Sequence, residues 1–202
     1  MPEQRTTDFP IHALLVDRWS PYAFDDKCVS AEDLRSLFEA ARWAPSSYNA
    51  QPWHYIVATK EHPEEFGRLL SCLVEVNQMW AKAAPALALG VVKLEFSHNN
   101  QPNRAAAHDL GLATGGLLME ASARGLYVHQ MIGILPEKAR QVYAIPEGFE
   151  AWTGIAIGYL GDPAQLPEEL AKRDRTQSPR KPLKDFIFSE TWGQSSALTS
   201  EE

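Results

Sequence analysis

Residues 105–124 carry the longest helical pattern of the chain, and small side chains occur along most of its length. These small residues are Ala105, Ala106, Ala107, Gly111, Ala113, Gly115, Gly116 and Ala121. A helix with such residues allows another backbone or a flat ligand to come close. Gly125 follows, in the position of a glycine that ends a helix. We therefore predict one long helix that has a close neighbour.

Shorter patterns on both sides of this helix predict further helices and strands. Ser30 is a good N-cap for a helix that ends at Pro45. Pro63 and Pro136 begin two more helices, over residues 63–73 and 136–143. Runs of β-forming or uncharged apolar residues predict four strands, at residues 53–58, 86–92, 126–131 and 152–159. The polar residues 93–104 are predicted to form a surface loop.

The chain length and the absence of repeats predict one α+β domain over residues 1–202. The 202 residues, 45% of them hydrophobic, suffice for a single buried core, which we expect at about residues 9–161. Residues 162–202 are rich in proline and charge. We expect them to form a C-terminal arm that packs on a partner subunit.

The charge balance and the N-terminus disfavour several classes of protein. The 19 basic and 26 acidic side chains give a net charge of −7, and no Lys/Arg block indicates binding to nucleic acid or to a membrane surface. The longest apolar stretch, residues 83–92, contains Pro85 and is too short to cross a bilayer. Because the first residues also lack an apolar signal core, we expect a soluble cytoplasmic protein.

Cysteine and histidine spacings give no sign of a metal site. Cys28 and Cys72 lack C-x-x-C spacing, so we expect two reduced thiols. The histidines form neither H-x-x-x-H nor H-E-x-x-H; they are His12, His54, His62, His98, His108 and His129. We interpret His54 and His129 as core or strand residues. A hydrolytic triad and a separate dinucleotide domain are also disfavoured, because G-x-S-x-G and G-x-G-x-x-G are absent.

Two short segments contain residue types that bind anions and planar rings. Arg18 and Ser20 place a guanidinium and a hydroxyl two residues apart, which suits an anion clamp, although a charged helix end gives the same pattern. Residues 45–53 offer short donors and acceptors between two prolines: Ser46, Ser47, Asn49 and Gln51. These groups suit the edge of a planar heterocycle, but they are also typical of a helix-to-strand loop.

The run Ser-Ser-x-Asn-x-Gln-Pro-Trp at residues 46–53 resembles the signature of the FMN-dependent nitroreductase family. The resemblance extends from about Phe9 to Gly193. It implies a nitroreductase-like α+β fold with a central, mostly antiparallel sheet flanked by helices. It also implies an intertwined homodimer with two FMN sites at its interface. Residues 108–113 resemble the family's Asp-x-Gly-x-Ala helix at the dimer core.

The same resemblance assigns residues to FMN binding. Arg18, Trp19 and Ser20 match the segment that holds the phosphate and the ribityl chain, and Arg180 and Lys181 match a basic pair that completes the phosphate site. Tyr22 stands at a position that lies near N1 and C2=O of the flavin. Ser46, Ser47, Asn49 and Gln51 match a loop that reaches the isoalloxazine from the other subunit. Gln130, Met131, Ile132 and Gly133 match a strand end whose backbone amides reach the flavin. Arg18, Arg180 and Lys181 are thus expected to converge on a phosphate of about −1.5 to −2 charge.

The resemblance implies a ping-pong reaction in which NAD(P)H passes hydride to flavin N5 and a small-molecule oxidant then enters the same pocket. Nitroaromatics, quinones and other electron-poor organics are such oxidants, and no side chain is needed as acid or nucleophile. Tyr48, Trp80 and Phe96 are candidates for aromatic contacts at the pocket mouth, or for plain surface packing. Two alternatives remain: a flavin-binding or flavin-handling protein without turnover, and another flavin reaction such as dehydrogenation or dehalogenation.

Two positions depart from the family pattern. Tyr22 stands where Arg or Lys is usual, so a neutral group replaces the cation near flavin N1, and we expect a lower reduction potential. Gly116 stands where the family often has Asn or Gln. We expect the loss of that amide to widen the pocket or to be compensated elsewhere.

Overall fold

The computed structural model describes residues 6–176 and 178–199, and within these ranges it contains seven α-helices and four strands. The helices are α1 (Ala13–Asp17), α2 (Ala31–Arg42), α3 (Pro63–Leu70), α4 (Glu75–Ala81), α5 (Ala106–Ala123), α6 (Pro136–Tyr143) and α7 (Glu168–Arg175). The strands are β1 (Trp53–Thr59), β2 (Ala86–Lys93), β3 (Tyr127–Met131) and β4 (Phe149–Gly158). Residues 1–5, where the sequence predicts no signal core, and residues 177 and 200–202 of the predicted arm lie outside the described residues. Within the described ranges, no helix has the length and apolar character needed to span a bilayer.

The sheet is antiparallel at every strand pair and has the order β1–β2–β4–β3. β2 lies between two neighbours, so Ala86 faces Thr59 on β1 and Ile157 on β4. Residues 86–92 of β2 are buried, since helices cover both faces of the sheet. The predicted α+β fold, with a mostly antiparallel sheet flanked by helices, is confirmed.

Side chains alternate along β2 and thereby divide the core into two layers. Leu87 and Leu89 belong to a cluster with buried residues of α3, α4 and α6. Ala86 and Ala88 belong to the opposite cluster, with buried residues of α2 and α5. Because these two side chains are small, the long helix α5 can lie close to the middle of the sheet.

The helices α2 and α5 are in close contact at Gly116. A Cβ atom on Gly116 would lie 3.0 Å from the carbonyl oxygen of Ala40 on α2. An Asn or Gln at this position would therefore push the two helices apart. Gly116 therefore faces α2, and the expectation that the missing amide widens the pocket or is compensated elsewhere stays a prediction.

Helix boundaries agree with the sequence where a local signal marks them. Ser30 Oγ accepts a hydrogen bond from the backbone N of Asp33 at 3.0 Å, and α2 begins at Ala31, directly after Ser30. The helix predicted from Pro136 has the predicted bounds, and Gly125 has a φ of 71° just after α5. Other boundaries differ: α3 ends at Leu70, β4 begins at Phe149, and the sequence did not predict α1, α4 or α7.

After β4 the chain returns to its N-terminal part. Phe24 and Leu160 form an antiparallel bridge, and Gly161 N donates to Ala23 O at 3.0 Å. Only glycine allows this approach, since a Cβ atom on Gly161 would lie 2.5 Å from the carbonyl carbon of Phe24. This pairing brings the start of the C-terminal segment beside residues 18–23.

Apolar surface is exposed on α5 and on the C-terminal segment. His108, Gly111, Leu112 and Gly115 lie on one face of α5, three or four residues apart, and Leu112 is 40% exposed. In the C-terminal segment Phe186, Trp192 and Leu198 are exposed, and Trp192 is 93% exposed. Both regions thus present apolar side chains to solvent, as do single residues elsewhere, such as Trp43 and Ile132.

Candidate functional site

A cavity of about 470 Å³ lies between residues 18–22, the strand β3 and the segment that ends α7. Its volume is within the range of small-molecule and cofactor sites. The lining residues are Arg18, Trp19, Ser20, Tyr22, His129, Arg173, Thr176, Ser178 and Arg180. Residues far apart in the sequence therefore build one concave site.

Three guanidinium groups line this cavity, and among its described lining residues there is no carboxylate. Arg18 Nη1 donates to Ser20 Oγ at 3.0 Å, which fixes the two groups of the predicted anion clamp beside each other. Arg180 Nη1 donates to the carbonyl oxygens of Ser178 and Pro179 at 3.0 and 3.3 Å. Arginine forks and hydroxyl groups are the donors that bind phosphate oxygens. The cavity is thus a local positive site in an acidic chain.

Tyr22 and His129 form an aromatic wall of the cavity. Their ring centroids lie 4.7 Å apart, and both rings contact Trp80, at 5.2 and 4.4 Å. Trp80 itself is 2% exposed and lies in the core behind this wall. The prediction that Trp80 contacts substrate at the pocket mouth is wrong, because its indole is enclosed by Tyr22, His129 and Phe24.

His129 is held in one orientation by the backbone. Its Nδ1 lies 2.8 Å from the carbonyl oxygen of Pro21, and since that oxygen can only accept, Nδ1 carries the proton. Burial lowers the pKa of His129, against the hydrogen bond to Pro21 and the charge of Asp174. A neutral ring leaves Nε2 as a hydrogen-bond acceptor. The interpretation of His129 as a strand residue was correct but incomplete, because the side chain also lines the cavity.

Asp174 lies behind the cavity and is 5% exposed. Its Oδ1 accepts a hydrogen bond from the backbone N of Tyr22 at 2.5 Å. Burial raises the pKa of this carboxyl, while hydrogen bonds from the backbone of Tyr22 and Ala23 and from the Trp19 side chain oppose the shift. Asp174 therefore ties α7 to the segment that carries Arg18 and Ser20.

The loop of the predicted flavin signature is held by hydrogen bonds to Asp109 of α5 and between its own polar groups. Ser47 N donates to Asp109 Oδ2 at 3.0 Å, and Gln51 N donates to Ser46 Oγ at 3.0 Å. Gln51 Nε2 donates to Asn49 Oδ1 at 3.2 Å. Tyr48, Asn49 and Gln51 have φ values of 52°, 51° and 46°, which side-chain-bearing residues rarely adopt. Such a conformation at three nearby residues indicates a functional constraint on the loop.

This loop does not line the cavity within the described chain. Tyr48 is 84% exposed, and its ring lies 5.6 Å from that of Phe96 in an edge-to-face pair. These two predicted substrate residues thus contact each other and do not line the cavity of the described chain.

The strand end at residues 130–133 continues from His129 but does not line the cavity either. Gln130 and Ile132 are exposed, whereas Met131 is buried in the core. Asn77 Nδ2 donates to Gly133 O at 2.9 Å, and a Cβ atom on Gly133 would overlap the same amide. Gly133 is therefore required for the close packing of this turn.

Of the residues assigned to FMN binding, those that line the cavity are Arg18, Trp19, Ser20, Tyr22 and Arg180. Lys181 is exposed and lies outside the lining. Three lining residues were not predicted from the sequence: Arg173, Thr176 and Ser178. The charges around Arg173 give the same signal as a solvated face. In the part of the chain that the structure describes, no group of three His, Cys, Asp or Glu side chains is arranged to hold a metal ion.

Comparison with known proteins agrees with this fold. The model of the Nitroreductase family matches residues 15–159. A solved oxidoreductase described as containing FMN is 35% identical, has a TM-score of 0.89, and covers 95% of this chain and 97% of its own. A putative NADH dehydrogenase/NAD(P)H nitroreductase of Archaeoglobus fulgidus is 27% identical over 154 residues, 74% of this chain and 84% of the relative. An uncharacterised 15.4 kDa protein of Mycolicibacterium smegmatis is 34% identical over 124 residues, 61% of this chain and 82% of the relative. The chain therefore belongs to the nitroreductase family.

Proposed function

We propose that the protein is an FMN-dependent NAD(P)H oxidoreductase that reduces nitroaromatics, quinones or similar electron-poor organic molecules. The observation that carries this proposal is the cavity in which Arg18, Arg173 and Arg180 meet beside the ring of Tyr22. The family match and the FMN-containing structural relative support it.

The residues of the cavity fit FMN by the chemistry of their donors. A phosphate monoester carries about −1.5 to −2 charge at neutral pH, and three guanidinium groups can balance it. Ser20, Thr176 and Ser178 add hydroxyl groups, and Tyr22 and His129 add an aromatic wall. The chemistry that FMN supplies when bound is acceptance of hydride from NAD(P)H and delivery of electrons to the oxidant.

The side chains of this chain bind and orient the cofactor in the proposed function. Arg18 and Ser20 would hold the phosphate, and His129 Nε2 would be free to accept a hydrogen bond from a cofactor hydroxyl. The lining residues include no side chain that must act as a nucleophile. Tyr22 is neutral and would itself add no positive charge beside the cofactor.

We further propose a homodimer in which each site contains residues of both subunits. The loop Ser46–Gln51 does not line the cavity of its own described chain, and the family resemblance assigns it to the partner's site. The exposed face of α5 and the apolar residues Phe186, Trp192 and Leu198 supply surface for such an interface. In this proposal the core of about residues 9–161 and the arm of residues 162–202 form one domain.

Purification and reduction of the protein test the proposed function. The protein should be yellow, should bleach under anaerobic NADH or NADPH, and should then be reoxidised by a quinone or a nitroaromatic. Arg18→Gln should lower the flavin content, whereas Arg35→Gln, which removes the same charge from α2, should not.

The alternatives predict different results in the same assay. A colourless protein that FMN does not reconstitute would refute the proposal. Flavin that binds but is not reduced by NADH or NADPH indicates a flavin-binding or flavin-handling protein. Reduction without reoxidation by quinones or nitroaromatics indicates another flavin reaction, such as dehydrogenation or dehalogenation.

A further inference from the structure

The helix α7 combines an exposed, charged sequence with one deeply buried carboxylate. Glu168, Glu169, Lys172, Arg173 and Arg175 are exposed, whereas Asp174 is 5% exposed. Burial of a carboxylate is costly unless hydrogen bonds compensate for the lost water. Asp174 therefore has a specific partner, and its partner is the N-terminal segment of the cavity.

The hydrogen bonds of Asp174 join α7 to residues 19–23. Tyr22 N donates to its Oδ1 at 2.5 Å, and Ala23 N and the Trp19 side chain are further donors. These donors directly follow Arg18. One carboxylate thus fixes the position of α7 relative to the anion clamp of Arg18 and Ser20.

Arg173 precedes Asp174 and lines the cavity. Successive residues of a helix point about 100° apart, so an inward Asp174 leaves Arg173 at the edge of the site. Arg175, the next residue on the other side, is exposed and does not belong to the lining. Arg173 and Arg175 are thus both exposed, and they differ in that only Arg173 lines the cavity.

We propose that Arg173 binds the phosphate of the cofactor together with Arg18 and Arg180, and that Asp174 is the positioning residue that holds Arg173 there. The proposal rests on the proposed function, since it names FMN phosphate as the anion. It assigns α7, which no family motif of the sequence marked, to the phosphate site.

Affinities for FMN and riboflavin test the role of Arg173, because the two ligands differ by the phosphate alone. With the full-length apoprotein, quenching of flavin fluorescence gives both dissociation constants. Arg173→Gln should raise the Kd for FMN about tenfold, as expected for one lost charge-assisted hydrogen bond, and leave the Kd for riboflavin unchanged. Arg173→Lys should recover part of the affinity for FMN. The matched control Arg175→Gln should change neither Kd.

Asp174→Asn tests the positioning role. Asparagine keeps the size of the side chain but removes the charge and one acceptor oxygen. We expect weaker binding of FMN, unchanged binding of riboflavin, and little further loss when Arg173→Gln is added, because Asp174 acts through Arg173. If Asp174→Asn does not fold, the Arg173 variants still decide the binding role, and the more conservative Asp174→Glu replaces it in the double variant.

Three outcomes overturn the proposal. Equal affinities of Arg173→Gln and Arg175→Gln for FMN show that Arg173 is a solvated charge. An equal loss of FMN and riboflavin binding in Asp174→Asn shows a structural role without phosphate positioning. Wild-type protein that binds no FMN refutes the proposed function as well, which distinguishes that failure from the other two.

Discussion

Alanine substitutions at Gly111 and Gly115 test whether a partner subunit covers α5. The two glycines lie four residues apart on the face that also exposes Leu112. Within the described part of a single chain, a Cβ atom on either glycine would meet no atom within 4 Å. Within a single chain, an alanine at either position would therefore cause no steric clash.

The expected sign of the effect depends on the partner. In an uncovered helix interior, Gly→Ala stabilises the helix by about 1 kcal/mol through backbone entropy. Against the backbone of a second subunit, the same methyl group is overpacked and costs about 1–3 kcal/mol. The proposed homodimer therefore predicts destabilisation at both positions. Gly67→Ala on α3 is the reference, because a Cβ atom there also meets no described atom within 4 Å and Gly67 lies on an exposed surface.

Urea unfolding at two protein concentrations and sedimentation measure this difference. Gly67→Ala should raise the free energy of unfolding at both concentrations. Gly111→Ala and Gly115→Ala should lower it in concentrated protein, where the dimer is populated, with a smaller effect in dilute protein, and should weaken the dimer about tenfold for each 1.4 kcal/mol. If both variants are as stabilised as Gly67→Ala and sediment like the wild type, α5 is not covered by a close backbone and the proposed interface is wrong.

Three further substitutions have predicted outcomes. Gly161→Ala should destabilise the fold by at least about 1–3 kcal/mol, since its methyl group would meet the rigid backbone of Phe24; urea unfolding equal to that of Gly67→Ala would contradict this. Tyr22→Arg should raise the flavin reduction potential by about 30 mV for each 1.4 kcal/mol by which the cation stabilises the two-electron reduced form. Spectroelectrochemistry measures the potential, and Tyr22→Phe is the control. An unchanged potential in Tyr22→Arg would refute the reasoning. Burial raises the pKa of Asp174 above 3.8, so its contribution to stability is complete below that pH and is lost as the pH rises through the raised pKa. Asp174→Asn should therefore gain stability relative to the wild type as the pH rises through this window; a difference in unfolding free energy that stays constant from about pH 3 to 7 would contradict this.

Local signals allowed much of the fold to be predicted from the sequence. Ser30, Pro136 and Gly125 each mark a helix end by their own backbone chemistry, and the structure agrees at all three. The uncharged run at residues 86–92 indicated a strand buried on both faces, which is β2. By contrast, α7 is polar on most of its surface, and its burial depends on contacts with residues about 150 positions away. No pattern within α7 could reveal those contacts.

The chemistry of the candidate site could be predicted from the sequence, but the full set of residues that line it could not. Arg18, Ser20 and Arg180 were assigned from short motifs, and all three line the cavity. Lys181 is adjacent to Arg180 in sequence yet lies outside the lining, while Arg173 lies within it. Whether a cation lines the cavity depends on the three-dimensional path of the backbone, and for Arg173 we propose that Asp174 fixes that path. A count of charges cannot supply this information.

The two departures from the family pattern, Tyr22 and Gly116, both have an explanation in local packing. The Tyr22 ring contacts Trp80 and His129 edge-on, so an arginine there would lose two aromatic contacts. A residue larger than glycine at position 116 would separate α2 from α5, since even a Cβ atom would lie 3.0 Å from a backbone oxygen of α2. Each departure is therefore coupled to neighbouring residues of this chain. The packing of Tyr22 also affects the proposed function. The contacts that favour a neutral ring at position 22 leave the proposed flavin site without a cation at that position.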